Sequence, residues 1–357
     1  MNSISPSFWH SKKVLVTGHT GFKGSWLSLW LQTMGADLCG IALPPPTEPS
    51  LFAQAKVADG MRHQLADVRD FEKIEKIFQS FQPDIVLHLA AQPLVRESYK
   101  APIETYSTNV MGTVHVLEAS RRTKSVRAVI NVTTDKCYEN REWVWGYREN
   151  EPIGGHDPYS SSKGCSELVS AAYRKSFFED AEIQVATARA GNVIGGGDWA
   201  RDRLIPDIIK SIQENIPTKI RNPNAIRPWQ HVLEPLSGYL LLAEGLYNKK
   251  DGMSGAWNFG PRDEDAQNVQ WVANELSKKM GQSPIFLPDP KNHPHEANFL
   301  KLDISKAKNK LGWEPRWSLN TALDRIVDWN RSLNQKEDIR KKSVSQILEY
   351  NKTGVVL

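Results

Sequence analysis

The chain has 357 residues, enough to bury a sizeable core in one large α/β unit or in two domains. Its formal net charge is only +4, and no apolar run approaches the length of a bilayer span, so the composition argues against a nucleic-acid or membrane-surface protein. The cysteines, Cys39, Cys137 and Cys165, have no paired metal-ligand spacing and suit reduced thiols, so we expect a cytoplasmic protein.

The first predicted element is a short apolar strand at 13–17 that runs into a glycine-rich loop and then into a helix. Gly18 permits the tight turn, Gly21 lets the backbone approach a pyrophosphate, and Gly24 allows close packing of the helix. This order favours a dinucleotide site over an ordinary turn. The basic side chains of this loop, His19 and Lys23, either lie near the pyrophosphate or are merely solvated. The loop residues predicted to bind the cofactor are Gly18, His19, Gly21, Phe22, Lys23 and Gly24.

The alternation of strands and helices continues after the loop. Strands are predicted at 37–43, 63–66 and 84–91, with an amphipathic helix at 71–81. Strands separated by helices form a parallel sheet with right-handed crossovers, and ligands bind at the carboxyl ends of its strands. We therefore predict an α/β fold: a Rossmann-type doubly wound parallel sheet with a smaller, interleaved C-terminal substrate domain.

Further cofactor contacts are predicted at the strand ends, at Asp67, Val68, Ala90 and Ala91. The alanines leave room for a flat ring system, and Asp67 either accepts a hydrogen bond from an adenine amino group or caps a local turn. The acid that usually holds the ribose hydroxyls of NAD, about 20 residues after the glycines, is missing. The second strand runs out into prolines at 44–46 instead. The ribose site therefore does not separate NAD from NADP.

Catalytic chemistry is predicted where a β-branched run starting at Val129 ends in a hydroxyl, an acid and an amine, Thr134-Asp135-Lys136. Further along, Tyr159 and Lys163 are four residues apart, so a helix places them on one face. An ammonium at that distance favours phenolate and lowers the pKa of the tyrosine toward that of a general base. Alone the pair means little, because nine tyrosines give such a spacing by chance about half the time.

Two long helical patterns, 101–121 and 159–178, contain more apolar positions than packing on the sheet requires. They predict a homodimer with a two-fold helical interface, although a single core per chain explains many of the same residues. Asn109, within the first pattern, either hydrogen-bonds across to the active strand or merely interrupts the helix.

The chain changes character near residue 191, where elements become shorter and prolines more frequent. We predict a dinucleotide-binding Rossmann domain at 1–190, to which later segments return, a mainly substrate-binding domain at 191–335, and a C-terminal helix or tail at 336–357. The loop 227–231, Arg-Pro-Trp-Gln-His, suits recognition of a phosphate and a ring, or is a solvated arginine beside a small core. No metal site is predicted, because the His-Pro-His-Glu segment at 293–296 lacks a third ligand.

Together these motifs resemble the extended short-chain dehydrogenase/reductase family, specifically its sugar-nucleotide 4,6-dehydratases. The resemblance covers about residues 12 to 330. It implies NAD that is reduced and reoxidised within one turnover, homodimers, and deoxysugar synthesis for a surface polysaccharide such as O-antigen. Details of the glycine loop, of 133–138 and of 227–231 favour CDP-D-glucose as the substrate. The motifs that carry the family resemblance are the glycine loop, Thr134-Asp135-Lys136, Tyr159-x-x-x-Lys163 and Arg189-x-x-Asn192.

The resemblance also implies roles for the active stretch. Tyr159 takes the proton of the 4-hydroxyl, with Lys163 beside it and Thr134 bonded to the same oxygen. Asp135 protonates the leaving 6-hydroxyl, which requires a raised pKa. Lys136 stands where better-known relatives have a Glu that removes the carbon-5 proton, and is either that base or a stabiliser of the enolate. The residues predicted to contact the substrate are Asn109, Asn192, Arg227 and His231.

Two alternative functions stay open. A 4-epimerase, or a dehydratase for another nucleotide sugar, shares the cofactor site and Tyr159, but an epimerase needs no acid and base at carbons 5 and 6. The pair Asp135 and Lys136 argues against it. A non-catalytic NAD-sensing protein would have lost Tyr159 or Lys163, and both are present.

Overall fold

The structure, a computed structural model, describes residues 2–179, 182–282, 286–288 and 298–353. Short apolar runs bounded by glycine, proline or polar residues form its strands. These are β1 (Lys13–Thr17), β2 (Asp37–Ala42), β3 (Arg62–Leu65), β4 (Ile85–His88), β5 (Ala128–Val132), β6 (Gln184–Ala190), β7 (Val193–Ile194), β8 (Thr218–Ile220), β9 (Ile226–Pro228), β10 (Gln230–His231), β11 (Gly255–Phe259), β12 (Ala266–Asn268) and β13 (Phe286–Pro288).

Helices alternate with these strands through most of the chain. Several begin at a capping side chain, as at Asp70, Asp157, Ser318 and Asp338, which satisfies amide groups of the first turn. The helices are α1 (Pro6–Trp9), α2 (Phe22–Thr33), α3 (Leu51–Gln54), α4 (Phe71–Phe81), α5 (Val95–Lys100), α6 (Pro102–Tyr106), α7 (Gly112–Arg121), α8 (Pro158–Tyr173), α9 (Leu204–Glu214), α10 (Leu233–Tyr247), α11 (Val269–Lys279), α12 (Leu319–Asn334) and α13 (Ile339–Lys352).

A central sheet of seven strands organises the fold, in the order β3-β2-β1-β4-β5-β6-β11. Every neighbouring pair in it is parallel. This is the doubly wound Rossmann order extended by one strand, and the prediction of a parallel α/β fold is confirmed. The strand order reverses between β1 and β4, where such sheets bind ligands.

The sheet is buried on both faces because successive side chains point to opposite sides. Val14 and Val16 belong to the apolar cluster on the face of α2 and α10, whereas Leu15 belongs to the cluster on the face of α4 and α7. β4 divides in the same way, with Ile85 and Leu87 on the first face. Strands β1 and β4 therefore carry apolar residues on both faces.

The element boundaries differ from the predictions by a few residues. β4 ends at His88, so the small residues that follow lie in a loop at the sheet edge. The helical pattern 101–121 is divided by a π-helical turn at Ser107–Met111, and the pattern 159–178 ends in another at Arg174–Phe178. Such turns shift the face that a helix presents, which a regular period does not reveal.

A separate apolar cluster joins α9, α11 and α12 beside the central sheet, with Ile208, Val272 and Leu323 at its centre. After these shorter elements begin, the chain returns to the sheet in β11, which pairs with β6. None of the described helices is long and apolar enough to cross a bilayer. The described residues contain no cluster of three or more metal-ligating side chains, and the segment 293–296 lies outside them.

The helix α13 packs on α2, the helix that follows the glycine loop. The ring of Tyr350 meets that of Trp30 edge to face at 5.6 Å, and Arg340 Nη2 donates to Gln32 Oε1 at 2.7 Å. The Tyr350 hydroxyl also donates to Glu234 Oε2 in α10 at 2.6 Å. Residues from opposite ends of the sequence thus share one buried face.

Candidate active site

A cavity of about 1170 Å³ lies along the carboxyl ends of the central strands. It extends from the loop after β2 to the shorter elements β8 and α9, so it has room for two ligands of nucleotide size. Most residues predicted for the site line it. They are Gly18, Gly21, Phe22, Lys23, Gly24, Asp67, Val68, Ala90, Ala91, Thr134, Asp135, Lys136, Tyr159, Lys163, Asn192 and Arg227.

The glycine loop forms a cradle that side chains would fill. A Cβ on Gly24 would lie 2.2 Å from Gly18 O, and Gly18 itself has φ +76° with Ala90 N 2.7 Å from its added Cβ. A Cβ on Gly21 would meet only Gly18 O, at 3.4 Å, so Gly21 faces the cavity. Gly21 is also the N-cap of α2 and has no capping side chain. The free amides of this helix start fit a pyrophosphate, as the sequence predicts.

Lys23 lies in the first turn of α2 and lines the cavity. Its Nζ donates to the Tyr239 hydroxyl at 3.5 Å. Burial, together with the nearby cations Lys163 and Arg203, lowers the pKa of Lys23 to about 7. The ammonium is therefore only partly charged near neutral pH.

The side chain of His19 does not lie where the sequence predicts. It is buried outside the cavity wall, its Nε2 is 2.7 Å from His63 Nδ1, and its ring contacts Phe52. Burial and His63 lower the pKa of His19 to about 4, so the ring is neutral. The prediction of a basic group near the pyrophosphate is wrong for this imidazole, because Gly40 opposite leaves the ring a space beneath the loop.

The part of the cavity predicted to bind the cofactor runs from the glycine loop to Asp67 and Val68. Arg69 holds Asp67 through its backbone amide at 2.9 Å and through its guanidinium. This ion pair lowers the pKa of Asp67, which stays ionised and forms a local turn while still lining the cavity. Leu43 and Pro44 occupy the wall where a ribose-binding acid would stand.

The catalytic stretch begins where β5 ends. Thr134 is the N-cap of a short 3-10 turn, Asp135–Cys137, and its hydroxyl bonds Asp135 Oδ1 at 3.0 Å. Asp135 is 2% exposed, and its Oδ2 has no hydrogen-bond partner among the described residues. Burial raises the pKa of Asp135, against the lowering effect of Lys136, Thr134 and Arg227. The raised pKa is the condition for an acid that donates a proton.

Lys136 lines the same cavity and is half-buried. Its charge is the largest favourable influence on the ionised form of Asp135. The structure therefore places an acid and an amine side by side at the end of β5, as the sequence predicts.

Tyr159 and Lys163 lie on one buried face of α8, which starts at Pro158 after the N-cap Asp157. The Tyr159 phenol is hydrogen-bonded to Thr134, and burial raises its pKa to about 12. Lys163 Nζ donates to Val132 O at 3.0 Å, and burial lowers the pKa of Lys163 to about 8. The sequence predicts that the Lys163 ammonium lowers the pKa of the Tyr159 phenol. In the structure the nearby cation that lowers this pKa is Arg203 instead.

A buried ion pair that the sequence analysis did not identify supports this site from below. Glu167 accepts from Arg189 Nε at 2.9 Å and Nη2 at 2.8 Å, and from Thr187 Oγ1 at 2.7 Å. Thr133 donates to the same carboxylate. The pair ties α8 to the ends of β5 and β6. The arginine of the Arg189-x-x-Asn192 motif was the available signal for it.

The substrate half of the cavity contains Asn192, Arg227 and Arg203. Arg227 is 5% exposed and lowers the pKa of Asp135, so its charge acts at the catalytic acid. Arg203, also missed from the sequence, pairs with Asp198 at 2.9 Å. Its irregular position just before α9 gave no periodic signal.

Two residues predicted to contact the substrate do not line the cavity. Asn109 is buried and binds Gln92 and Ser162 Oγ, so it joins the loop after β4 to α8. His231 packs between Trp26 and Trp317, with ring centroids 6.0 and 4.9 Å away. Neither side chain lines the cavity, so the structure does not bring them to the substrate side as the sequence predicts.

The sequence was compared with known protein families and sequences. The family model described as GDP-mannose 4,6-dehydratase matches residues 15–326. CDP-glucose 4,6-dehydratase of Salmonella typhimurium is 56% identical over 97% of this chain and 98% of its own length. A probable dTDP-glucose 4,6-dehydratase of Sinorhizobium fredii is 27% identical over 89% of this chain and 92% of its own length.

Solved structures of similar fold include a dehydratase and an epimerase. The dTDP-glucose 4,6-dehydratase of Bacillus anthracis in complex with NAD has a TM-score of 0.76 at 20% identity, covering 92% of this chain and 100% of that one. The UDP-glucose 4-epimerase of Thermus thermophilus in complex with NAD has a TM-score of 0.77 at 23% identity, covering 88% and 98%. At these identities the likeness establishes the fold. The family match and the 56% identity establish that the chain belongs to the GDP-mannose 4,6-dehydratase family, within the extended short-chain dehydrogenases/reductases.

Proposed function

We propose that this protein converts CDP-D-glucose to CDP-4-dehydro-6-deoxy-D-glucose and water, as an NAD-dependent hydro-lyase. The observation that carries the proposal is the buried Asp135 of raised pKa beside Lys136, within a cavity that also contains Tyr159. An epimerase has no use for this acid. The choice of CDP-glucose is supported by the relative that is 56% identical.

The glycine cradle, with the free amides at the start of α2, would hold the pyrophosphate of NAD. Ala90 and Ala91 would border its flat rings, and Lys163 would approach the nicotinamide ribose. Bound there, NAD would supply the hydride chemistry, namely acceptance from carbon 4 and return to carbon 6.

The chain's own residues would then move the protons. As the phenolate, which Thr134 and Arg203 favour against the effect of burial, Tyr159 takes the proton of the 4-hydroxyl, and Thr134 holds the same oxygen. The resulting 4-ketone acidifies the hydrogen on carbon 5. Asp135, whose pKa burial raises, donates a proton to the leaving 6-hydroxyl.

Lys136 would act on carbon 5, either as the base or as the cation that stabilises the enolate. A lysine acts as a base only in its neutral form, whereas enolate stabilisation requires the ammonium. Exchange of the carbon-5 proton with solvent tests whether Lys136 acts at this carbon. A Lys136→Ala enzyme that retained full exchange would refute both roles.

Asn192 and Arg227 would bind the diphosphate of the nucleotide sugar. Both line the cavity on the substrate side, and a guanidinium suits a phosphate because it can donate two parallel hydrogen bonds. We assign residues 191–335 mainly to substrate binding and residues 1–190, with the returning strand β11, mainly to NAD.

We further propose a homodimer through the helices of 101–121 and 159–178. Their outer faces expose large apolar side chains, including Ile103 at 85%, Leu168 at 61% and Phe177 at 51%. A Leu168→Asp change should give monomers in light scattering. The unpaired Cys39, Cys137 and Cys165 support a reducing, cytoplasmic location, and the ketosugar product suits deoxysugar synthesis for surface polysaccharides such as O-antigen.

The test is mass spectrometry of the purified protein incubated with NAD and CDP-glucose deuterated at carbon 4. We expect loss of one water, with the deuterium retained at carbon 6. An unchanged mass with inversion at carbon 4 would identify an epimerase instead. Turnover of a different nucleotide sugar, with CDP-glucose inert, would overturn the choice of base alone.

A further inference from the structure

The substrate half of the cavity ends at a wall formed by β8 and the first turn of α9. Leu204, Ile220 and Ala225 supply apolar surface there, and Asp207 supplies a carboxyl group. If the sugar lies at Tyr159 and the diphosphate at Arg227, this wall is a part of the substrate side that offers a nucleoside both apolar surface and a carboxyl group. It is therefore where the nucleoside of a nucleotide sugar would lie. This step rests on the function proposed above.

The carboxyl group of Asp207 differs from those of most other acids in the cavity because it has no hydrogen bond and no ion pair within 4 Å among the described residues, whereas its backbone amide donates to Arg203 O. Asp207 is half-buried, one turn into α9. The exposed Glu48, far away beyond β2, also lacks a partner. The remaining cavity carboxylates are engaged: Asp67 by Arg69, Asp135 by Thr134, Glu142 by Asn298, Asp157 by Ser160, Asp198 by Arg203 and Asp202 by Arg96.

The other polar side chains on this wall are mainly donors and are partly occupied. Arg221 Nη2 donates to Asp202 O at 3.2 Å, and Asn222 Nδ2 donates to Asn298 Oδ1 at 3.0 Å. Burial and the nearby Asp202 raise the pKa of Asp207 to about 6, against the lowering effect of Arg221 and Lys210, neither of which is hydrogen-bonded to it. A carboxylate that pays this desolvation cost without a donor is stabilised by a ligand that brings one.

We propose that Asp207 selects the base of the nucleotide sugar, by accepting a hydrogen bond from the exocyclic amino group of cytosine. Uracil and thymine have a carbonyl oxygen at that position, and two acceptors facing each other repel. A carboxylate that accepts from cytosine N4 is the side-chain pairing expected from the donor pattern of the base. The preference for a cytidine nucleotide then has a source in one side chain of this chain.

The test measures binding of CDP and UDP by calorimetry to the full-length protein, without turnover. We expect the wild type to bind CDP at least about tenfold more tightly than UDP, because one charge-assisted hydrogen bond is gained and one repulsion avoided. The isosteric Asp207→Asn variant presents a donor as well as an acceptor, so its ratio should fall to within about threefold. Asp207→Ala should also lose the preference, by weakening CDP binding.

Asp202→Asn is the matched control. Asp202 is exposed, lies five positions earlier and has φ +63°, which asparagine tolerates, so the change removes the same charge nearby. At pH 8, where Asp207 is ionised with or without the charge of Asp202, the CDP-to-UDP ratio of this control should match the wild type. An unchanged ratio in Asp207→Asn, or equal wild-type affinities, would overturn the inference. Because binding is measured without NAD or turnover, failure of the dehydratase assay would leave this result readable by itself.

Discussion

Asp135 and Glu167 are two buried carboxyl groups in the same part of the molecule, and their ionisation differs. Glu167 is 5% exposed and Asp135 2%, so exposure does not distinguish them. Glu167 accepts four hydrogen bonds, two of them from Arg189, and its pKa is lowered. Asp135 has one hydrogen-bond partner among the described residues, Thr134, and its pKa is raised.

The difference teaches that donors, more than depth, decide whether a buried acid keeps its proton. Glu167 serves as a permanent anion that joins α8 to two strands. Asp135, in the turn that follows β5, has a raised pKa, which suits an acid that donates a proton. The same local fold thus contains a structural carboxylate and a chemical acid, and they should respond oppositely to amide substitution.

The largest expected effect is on turnover. Asp135→Asn should lower kcat by about 10² to 10⁴-fold, because an amide cannot donate the proton that the 6-hydroxyl needs. Binding of NAD, followed by fluorescence quenching, should stay within about twofold of wild type. A variant with more than a tenth of the normal kcat would place the acid elsewhere.

Glu167→Gln should act on stability. It leaves the Arg189 guanidinium buried without its anion, and we expect the free energy of unfolding in urea to fall by about 3 kcal/mol. Asp135→Asn, measured in the same way, should show no such loss. Equal destabilisation by both substitutions would remove the distinction between the two acids.

Arg227 tests the surroundings of Asp135. Arg227→Ala should raise KM for CDP-glucose about tenfold or more while lowering kcat far less, because a phosphate contact is lost from ground state and transition state alike. The KM of Arg227→Lys, which keeps the charge without the paired donors, should lie between those of the wild type and Arg227→Ala. A larger fall in kcat than rise in KM would place Arg227 in the chemistry.

Lys23 extends the comparison to a buried cation. Its pKa is lowered to about 7, so it is charged below that pH and neutral above it. We expect NAD affinity, measured by calorimetry, to fall about fivefold from pH 6 to pH 8.5, as one charge contact to the pyrophosphate is lost. Lys23→Met should bind NAD weakly with little of this pH dependence. A parallel decline in both proteins would assign the effect to another group.

The smallest effect concerns the stability that Asp135 costs. Because its folded pKa is raised above the ordinary 3.8, folding takes up a proton above that pH and stability falls as pH rises. Asparagine has no proton to release. Near pH 8, Asp135→Asn should therefore be more stable than wild type by about 1 kcal/mol, seen as a higher melting temperature. This advantage should disappear toward pH 4. A gap that grew on acidification would reverse the assignment.

Local patterns in the sequence predicted the sheet, the glycine cradle and the positions of Thr134, Asp135, Tyr159 and Lys163. Strand ends and helix faces follow from short-range periodicity, so these predictions needed no knowledge of distant contacts. Whether a side chain enters the cavity depends on what packs against it. His19 and His231 illustrate this, since each ring turns toward aromatic or imidazole neighbours far away in sequence.

The missed residues have the same cause. Glu167 becomes a paired anion only once β6 brings Arg189 beside it, and Arg203 influences Tyr159 only once the segment before α9 has folded against the cavity. The dependence of Tyr159 on Arg203 instead of Lys163 likewise follows from where Lys163 donates, to a backbone carbonyl.

The contact between α13 and α2 affects how the molecule assembles. Arg340 binds Gln32 across 308 positions of sequence, and Tyr350 covers Trp30 on the helix that starts at the glycine cradle. During synthesis on the ribosome, the first 190 residues therefore emerge without the helix that seals their apolar face. Contacts this distant in sequence slow folding. The nascent cofactor half must wait, with Trp30 uncovered, until α13 has been made.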